Sequence, residues 1–277
     1  MDEAGRRNSA AVVRAEARDL DYDRYLAALL SPADARDDLL SLAAFHGEIA
    51  RIAFTVREPG IGEIRLQWWR EALETSAETS ETGAPLADAV RAMTVSAGLP
   101  VGDLIAIIDA YNSLLYPGAL AGAGAISAFA GAAQGAAFRL AALRLGQATS
   151  PPSSASTAAG EALITAAGQA YGRVQLLRAL PVLCALGRDP FGNGAVVGWE
   201  PTVQPVMAEA REWLAKARSI SRAAPAYVLP AVLPVALVEP YLAALEKLGA
   251  EVASEEAAIS PLSRVWRIFW ARKRGRV

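Results

Sequence analysis

The sequence predicts an all-α protein. Alanine supplies much of a hydrophobic share of 53%, and alanine is the best helix former. Apolar residues recur three and four positions apart along most of the chain, which is the spacing of one helix face. No run alternates apolar and polar residues as a half-buried strand does. The 277 residues can bury a full core, and we expect a single domain over 1–277.

The N-terminal part carries clear helix start signals. The segment Leu-Asp-Tyr-Asp at 20–23 offers an N-cap for a helix that continues to about residue 30. Ser-Pro-Ala-Asp at 31–34 combines a capping hydroxyl, a proline and an acid, so a longer helix to about residue 55 follows. Residues 1–18 carry no such signal and are expected to be a loose lead-in, with a helix as the alternative.

A Glu-Pro-Gly turn at 58–60 leads into a helix over 61–75. In this helix Ile64, Trp68 and Leu73 are expected to face the core, while Arg65 and Trp69 form a neighbouring ridge.

The remaining chain continues the helical pattern. Small residues line one side of the segment 125–145, where they allow either close packing of another helix or a ligand wall. Pro181 is expected to kink or interrupt its helix. The helices expected after residue 75 are 85–97, 101–115, 125–145, 158–186, 202–222, 230–248 and 260–272, with loops at 75–82, 146–157 and 188–201.

Composition and motifs exclude several classes of function. A net charge of −2 offers no basic field for nucleic acid. The lone Cys184 excludes a disulfide within the chain, and the lone His46 excludes a histidine-rich metal site. We expect His46 to be a structural or surface residue rather than a general base. The sequence has no glycine-rich phosphate loop, no GxSxG and no HExxH, so hydrolase and nucleotide chemistry have no motif here.

Two apolar stretches, at 114–138 and 223–238, resemble membrane spans. The first is mostly alanine and glycine, which drive insertion poorly, and the second is broken by three prolines. Both are expected to be buried core helices, with one true span as the alternative. Because the first residues also lack the apolar core of a signal peptide, we expect a cytoplasmic protein.

Charged residues around the 58–60 turn allow two interpretations. Glu48 and Arg51 lie three positions apart on one helix, and Glu63 and Arg65 lie near the start of the next. They are either ion pairs that join the two helices or the opening of a polar pocket.

The C-terminal segment combines aromatic and basic residues, namely Trp266, Phe269, Trp270, Arg272, Lys273 and Arg274. This pattern suits a helix on an anionic membrane surface, where each basic group contributes about 1 kcal/mol. The alternative is a closing core helix followed by a solvated basic tail at 272–277.

Several segments resemble the squalene/phytoene synthase family. They are DYDRYLAALLSP, LAAFHGEIARI, REPGIGEIRLQWWREAL and GQAYGRVQLLRALP, which occur in the family order and, with the C-terminal PLSRVWRIF, extend over nearly the whole chain. The resemblance implies an isoprenoid synthase-type helical bundle around a central apolar cavity.

The resemblance also shows what this chain lacks. Active members hold Mg²⁺ with two Asp-rich motifs on facing helices, because carboxylates bind the hard cations that neutralise a departing diphosphate. The matching positions fall near Ala50, Arg51 and Phe54 in the first motif, and at Ala179 and Val182 in the second. Both motifs are therefore degenerate, and we expect neither a metal site nor a cofactor.

These departures resemble a divergent branch of the family that contains the mitochondrial respiratory complex I assembly factor. The shared blocks are Ala-Phe-x-x-Glu-Ile-Ala at 44–50, Glu-Ile-Arg-Leu-Gln-Trp-Trp at 63–69 and Leu-Leu-Arg-Ala-Leu-Pro at 176–181. The leading hypothesis is a catalytically silent protein, peripheral on the inner face of the membrane, that acts in respiratory complex assembly or binds an apolar or isoprenoid ligand. The expected partners are that ligand, respiratory complex subunits and an anionic membrane surface.

Two other hypotheses stay open. The first is a prenyltransferase that joins two prenyl diphosphates head to head, in which Arg51, Arg65, Arg139 and Arg178 would replace metal by pairing directly with phosphate oxygens. Mg²⁺ is expected as a cofactor only under this alternative. The second is a structural protein with a filled bundle. The candidate ligand-binding residues are Glu48, Arg51, Glu63, Arg65, Trp69, Arg139 and Arg178.

Overall fold

A computed structural model describes residues 3–75, 81–122, 124–147, 154–192 and 202–277. These residues form helices joined by short turns, and this part of the chain contains no strand. The all-α prediction is therefore confirmed. The helices of the first half are α1 (Glu3–Leu20), α2 (Tyr22–Leu29), α3 (Ala33–Thr55), α4 (Pro59–Glu74), α5 (Pro85–Ser96) and α6 (Val101–Ser113).

The second half contains the longest helix. Its elements are α7 (Ala125–Ala130), a π-helical turn (Gly131–Gly135), α8 (Ala136–Gly146), α9 (Ser154–Ala185), α10 (Gln204–Ile220), α11 (Val228–Val232), a 3₁₀ turn (Leu233–Leu237), α12 (Val238–Leu248), a second 3₁₀ turn (Gly249–Ala253) and α13 (Pro261–Arg274). The predicted loops at 75–82, 146–157 and 188–201 lie partly outside the described residues.

The loose lead-in at residues 1–18 is a wrong prediction, and the alternative of a helix is right. The helix α1 buries Val13 and Ala17 against the rest of the molecule. Its last residue, Leu20, comes so close to α3 that a Cβ on Gly47 would lie 2.6 Å from the Leu20 Cβ. Alanine-rich α1 thus becomes stable through packing, although its N-terminus has no capping signal.

The buried face of α4 also differs from the prediction. Ile64 is 72% exposed and Trp68 is 41% exposed, whereas Leu66 and Trp69 are buried. The buried face of α4 therefore consists of Leu66, Trp69 and Leu73. These residues are three and four positions apart, so they also share one side of the helix. Trp69 meets Phe45 of α3 edge to face, with ring centroids 5.3 Å apart.

Small residues in the α7–α8 segment serve close helix packing, the first of the two interpretations offered above. A Cβ on Gly168 of α9 would lie 2.7 Å from the Cα of Gly135, and one on Gly172 would lie 2.6 Å from the Ala130 Cβ. Only glycine at these two positions lets α9 approach this closely, because there is no room for a methyl group.

Prolines act differently in the two C-terminal stretches. The helix α9 continues through Pro181 to Ala185, so the predicted interruption is wrong. Its flanking Leu180 and Leu183 are fully buried, which holds the last turn despite the missing hydrogen bond. The predicted single helix at 230–248 is instead divided into α11, a 3₁₀ turn that begins with Leu233-Pro234, and α12.

Among the residues that the structure describes, two helical stretches are long and apolar enough to cross a membrane by length and composition, Ala125–Gly146 and Val228–Ala253. Their most apolar windows are 61% and 78% buried within the protein. Core helices pass the same test, and this burial agrees with the prediction that both apolar regions form core.

Candidate functional site

A cavity of about 450 Å³ lies at the centre of the bundle, between α2, α3, α6, α9 and the turn that follows α7. Its wall is largely apolar and aromatic. Phe54 and Phe129 each meet the Tyr111 ring edge to face, with centroids 5.8 and 5.7 Å away. The apolar side chains that line it are Leu20, Ala50, Phe54, Leu114, Phe129, Leu176, Ala179 and Val182.

A first polar cluster lies at the inner end of the cavity. Asp21 caps α2 by accepting a hydrogen bond from the Arg24 backbone N–H, at 3.1 Å. The Arg24 side chain donates to Asp21 Oδ2 at 2.8 Å and to Gln134 Oε1 at 2.5 Å. His46 Nδ1 lies 2.9 Å from Asp21 Oδ2, and its Nε2 lies 3.3 Å from the Tyr111 hydroxyl. One buried network thus joins α2, α3, α6 and the π-helical turn.

Charges in this cluster fix its protonation. Burial alone would raise the pKa of Asp21, but Arg24 and the hydrogen bond from His46 hold that pKa far below its usual value. Burial and the Arg24 cation lower the pKa of His46 from 6.5 to about 4. An ionised carboxylate only accepts hydrogen bonds, so His46 is a neutral ring that donates from Nδ1 to Asp21. This agrees with the expected structural histidine.

A second polar cluster surrounds Asp23. The hydroxyls of Tyr171 and Tyr241 each donate to Asp23 Oδ2 at 2.8 Å, and Arg264 Nη1 of α13 lies 3.6 Å from Oδ1. Oδ1 is buried and accepts no hydrogen bond from the described residues. Burial raises the pKa of Asp23, Arg264 opposes the change, and the nearby Asp21 adds to it. The cavity therefore contains a buried carboxyl group with one unfilled acceptor position.

Only two of the predicted pocket residues line this cavity, Arg51 and Arg178. Arg51 Nε donates to Glu48 Oε2 at 2.6 Å, so Glu48 lies beside the cavity as the partner of Arg51. Arg178 lies over the Tyr241 ring, 4.1 Å from its centroid, and its Nη2 donates to Glu256 at 2.5 Å.

The other predicted pocket residues lie elsewhere. Glu63 accepts a hydrogen bond from the exposed Tyr116 hydroxyl at 2.9 Å, Arg65 is exposed, and Trp69 belongs to the core. Arg139 pairs with Asp103 and Glu161 at 3.4 and 3.7 Å. The predicted set is therefore divided between the cavity, the core and the surface. The membrane-surface residues lie on α13 and are treated below.

The positions that match the two metal motifs do come together. Ala50 and Phe54 of α3 and Ala179 and Val182 of α9 line the same cavity, and none of them is a carboxylate. Within the described residues, no three His, Cys, Asp or Glu side chains are grouped so that they could hold a metal ion. Asp21 and Asp23 are already bonded to protein groups. The donor set therefore does not fit Mg²⁺, which needs several free oxygen ligands.

Sequence reasoning missed most of the polar residues of the cavity. Asp23, Arg24, Tyr171, Tyr241 and Arg264 come from four distant parts of the chain. For Asp23 and Arg24 the sequence did contain a signal, the DYDRY segment, which combines two acids and an arginine at the start of α2. Above, this segment served only to predict a helix start and to support the family resemblance.

Comparison with known proteins gives relatives of two kinds. The NADH dehydrogenase (ubiquinone) complex I, assembly factor 6, of Homo sapiens is 40% identical over 57 residues, and that of Rattus norvegicus is 42% identical over 57 residues. Each match covers 21% of this chain and 17% of the relative, so the chain spans about a sixth of the length of these curated relatives.

Solved structures agree with the fold. The squalene synthase HpnC from Alicyclobacillus acidocaldarius superposes with a TM-score of 0.67 at 16% identity and covers 90% of this chain and 97% of its own. A dehydrosqualene synthase in complex with ligand superposes with a TM-score of 0.73 at 11% identity, over 98% of both chains. The family model described as squalene/phytoene synthase matches residues 17–191. This chain therefore belongs to the squalene/phytoene synthase family and has its all-α isoprenoid synthase fold.

Proposed function

We propose that this protein is a non-catalytic member of its family that acts in the assembly of a respiratory complex at a membrane, and that its cavity holds an apolar ligand with an uncharged polar head. The observation that carries the proposal is the replacement of the metal-binding positions. Ala50, Phe54, Ala179 and Val182 line the cavity where active relatives are expected to place carboxylates. Without those oxygens, the cavity cannot neutralise a leaving diphosphate through Mg²⁺.

The charges in the cavity support an uncharged head group. Four acids and four arginines line it, namely Asp19, Asp21, Asp23, Glu256, Arg24, Arg51, Arg178 and Arg264. Each of these arginines has a carboxylate partner, at distances from 2.5 to 3.6 Å. A diphosphate would have to displace these pairs, at a cost in buried ion pairing. A neutral hydroxyl or amide could instead donate to the unfilled Asp23 Oδ1.

The role in assembly rests on the relatives. The chain is 40% identical to a complex I assembly factor over 57 residues, about a fifth of its length. On the strength of that segment we extend the assembly role, and with it a place at a membrane surface, to this chain.

The prenyltransferase alternative retains one structural argument. Arg51 and Arg178 both line the cavity and could be released from their partners to bind phosphate oxygens. Arg65 and Arg139, which this alternative also used, do not line the cavity.

Turnover and binding of farnesyl and geranylgeranyl diphosphate, each with and without Mg²⁺, separate the two functions. We expect no product and no saturable diphosphate binding, while mass spectrometry of the purified protein finds a co-purifying neutral apolar lipid. Arg178→Ala and Arg139→Ala form a matched pair, since both arginines are paired with acids and only Arg178 lines the cavity. Mg²⁺-dependent turnover, or diphosphate binding lost in Arg178→Ala alone, would contradict the proposal.

The assembly role has its own test. Deletion of the gene in the source organism is expected to lower the amount of assembled complex I on native gels. Re-expression of the wild-type protein, or of Arg139→Ala as a control, is expected to restore it. An unchanged complex I level in the deletion strain would exclude this role.

A further inference from the structure

The helix α13 exposes an apolar face to solvent. Leu262, Val265, Trp266 and Phe269 are 77%, 41%, 60% and 44% exposed. Their spacing of three, four and seven residues places them on one side of the helix, while Ile268 and Ala271 are buried on the other. No described residue covers this face. The helix α13 therefore has two apolar sides, one packed into the core and the other exposed to solvent.

A basic cleft of about 900 Å³ lies beside this face, between the end of α10 and α13. Its lining contains no aspartate or glutamate side chain and five arginines, Arg218, Arg222, Arg267, Arg274 and Arg276. Within the described part of the chain, Arg218 pairs with Glu239 at 2.6 Å, and the other four form no ion pair. Glu239 also lies close enough to Arg267 for that arginine to help lower its pKa, so the cleft has a net positive charge that this one carboxylate compensates in part.

Trp270 joins the cleft to the apolar face. Its ring lies 5.3 Å from Trp266 and 5.9 Å from Phe269, measured between centroids. The charged ends of Lys273 and Arg274 lie 5.0 and 5.1 Å from its centroid. Its Nε1 donates no hydrogen bond to any described residue.

We propose that this surface, the exposed face of α13 together with the arginine cleft, docks the protein onto a bilayer that contains anionic phospholipids. The apolar side chains would enter the headgroup region and the arginines would bind lipid phosphates. The inference rests on the membrane association proposed above and names the surface responsible.

Charge decides between this occupant and a second copy of the chain. A symmetric dimer through α13 would bring two unpaired arginine clusters together, which is repulsive. An acidic protein could form ion pairs with the arginines. However, Trp266 and Phe269 are exposed beside basic groups, and this arrangement is typical of the membrane interface.

A second exposed apolar face, on α4, provides a matched control. Ile61, Ile64 and Trp68 are 49%, 72% and 41% exposed, with the spacing of one helix face. Acids and bases both surround it, for example Glu63 and Arg65. A face of this mixed charge has no preference for an anionic bilayer.

Vesicle co-sedimentation tests the proposal with purified full-length protein. We expect binding to phosphatidylcholine vesicles that contain about one third phosphatidylglycerol, weak binding to pure phosphatidylcholine, and loss of binding at high salt. Arg222→Gln, Arg267→Gln and Arg274→Gln are each expected to weaken binding about fivefold, and the triple variant about a hundredfold. Trp266→Ser with Phe269→Ser should also release the protein, whereas Ile64→Ser with Trp68→Ser should not.

All these positions are exposed, and circular dichroism of each variant verifies folding. The proposal is overturned if the wild-type protein does not bind anionic vesicles, or if the α4 double variant loses as much binding as the α13 double variant. Binding of an acidic protein to the arginine cleft in place of lipid would also overturn it. Failure of this docking surface and failure of the proposed function give different results. If the triple arginine variant supports complex I assembly as well as the wild-type protein does, the docking surface is rejected and the assembly role is not. If the protein turns over prenyl diphosphates, the proposed function is rejected and the docking surface is not.

Discussion

His46 is predicted to make the stability of this protein depend on pH in a defined window. It is the single histidine of the chain, and its neutral ring bridges the Asp21 carboxylate and the Tyr111 hydroxyl inside the bundle. Its pKa falls from 6.5 in the unfolded chain to about 4 in the folded protein. Because the folded pKa is the lower one, the stabilisation is complete above pH 6.5 and is lost as the pH falls towards 4.

The size of the effect follows from this shift. Between pH 7 and pH 5 the unfolded histidine gains nearly one proton and the folded one gains almost none. At 1.36 kcal/mol per pH unit, this lowers the free energy of unfolding by about 2 kcal/mol. In His46→Gln this contribution disappears, so the variant should have a flatter profile over the same range. It should also be less stable at pH 7 by about 1 kcal/mol, the net contribution of a hydrogen bond.

Urea denaturation of both proteins at pH 7, 6 and 5, followed by circular dichroism, measures this difference. Burial raises the pKa of Asp23 and of Glu16, and a raised carboxyl pKa acts in the opposite direction, since it makes the folded protein bind more protons. These groups are present in both proteins, so the difference between the two profiles isolates His46. The lone histidine also gives a single ring resonance in NMR titration. A midpoint near 6.5, or parallel profiles for the two proteins, would refute the reasoning.

Two further predictions concern packing. The buried Arg188 donates hydrogen bonds to three backbone carbonyls at and just beyond the end of α3. Arg188→Ala should therefore lower the free energy of unfolding, measured in urea, by about 3 kcal/mol. Arg188→Lys should lower it by a smaller amount. Gly168→Ala should cost about 2 kcal/mol, because its Cβ would lie 2.7 Å from a backbone atom of the neighbouring helix. Gly102→Ala, a helical glycine with open space around its Cβ position, should instead gain up to about 1 kcal/mol. Equal thermal melting of the two alanine variants would contradict the packing argument.

The helices were predictable because their signals are local. The proline starts of α3 and α5 and the turn at 58–60 are all read from neighbouring residues, and the structure has helices at these places. The predicted capping hydroxyl of α3 is wrong, because Ser31 Oγ donates to the Ala27 carbonyl instead and α3 begins without a side-chain cap. One local pattern was ambiguous. The α4 sequence offers two overlapping apolar faces, and only the neighbouring Phe45 decides that Trp69 rather than Trp68 is buried.

The site was less predictable, because its polar residues are brought together by the fold. Asp23 receives hydroxyls from Tyr171 and Tyr241, which lie 148 and 218 positions further along the chain. The sequence shows three ordinary residues in three helices, and no spacing rule connects them. Arg51 and Arg178 were found because the resemblance placed them beside the former metal motifs. Arg65 was included as part of a possible pocket opening beside the 58–60 turn and Arg139 as a further phosphate-binding arginine, and neither lines the cavity.

The two polar clusters give a physical reason why a cavity persists between Ala50, Phe54, Ala179 and Val182, none of which is a carboxylate. A buried space lined only by apolar side chains would tend to close, since each unfilled volume costs packing energy. Here Asp21, Arg24 and His46 at one side and Asp23 with Tyr171 at the other form a rigid polar frame, and removing one member would leave a buried polar group without a partner. In the same network Asp21 and Asp23 are held by Arg24, His46 and two tyrosine hydroxyls, which leaves only Asp23 Oδ1 without a hydrogen bond from the described residues. On the function proposed above, the polar groups that hold the cavity open are therefore also the ones that would favour an uncharged ligand over a magnesium diphosphate.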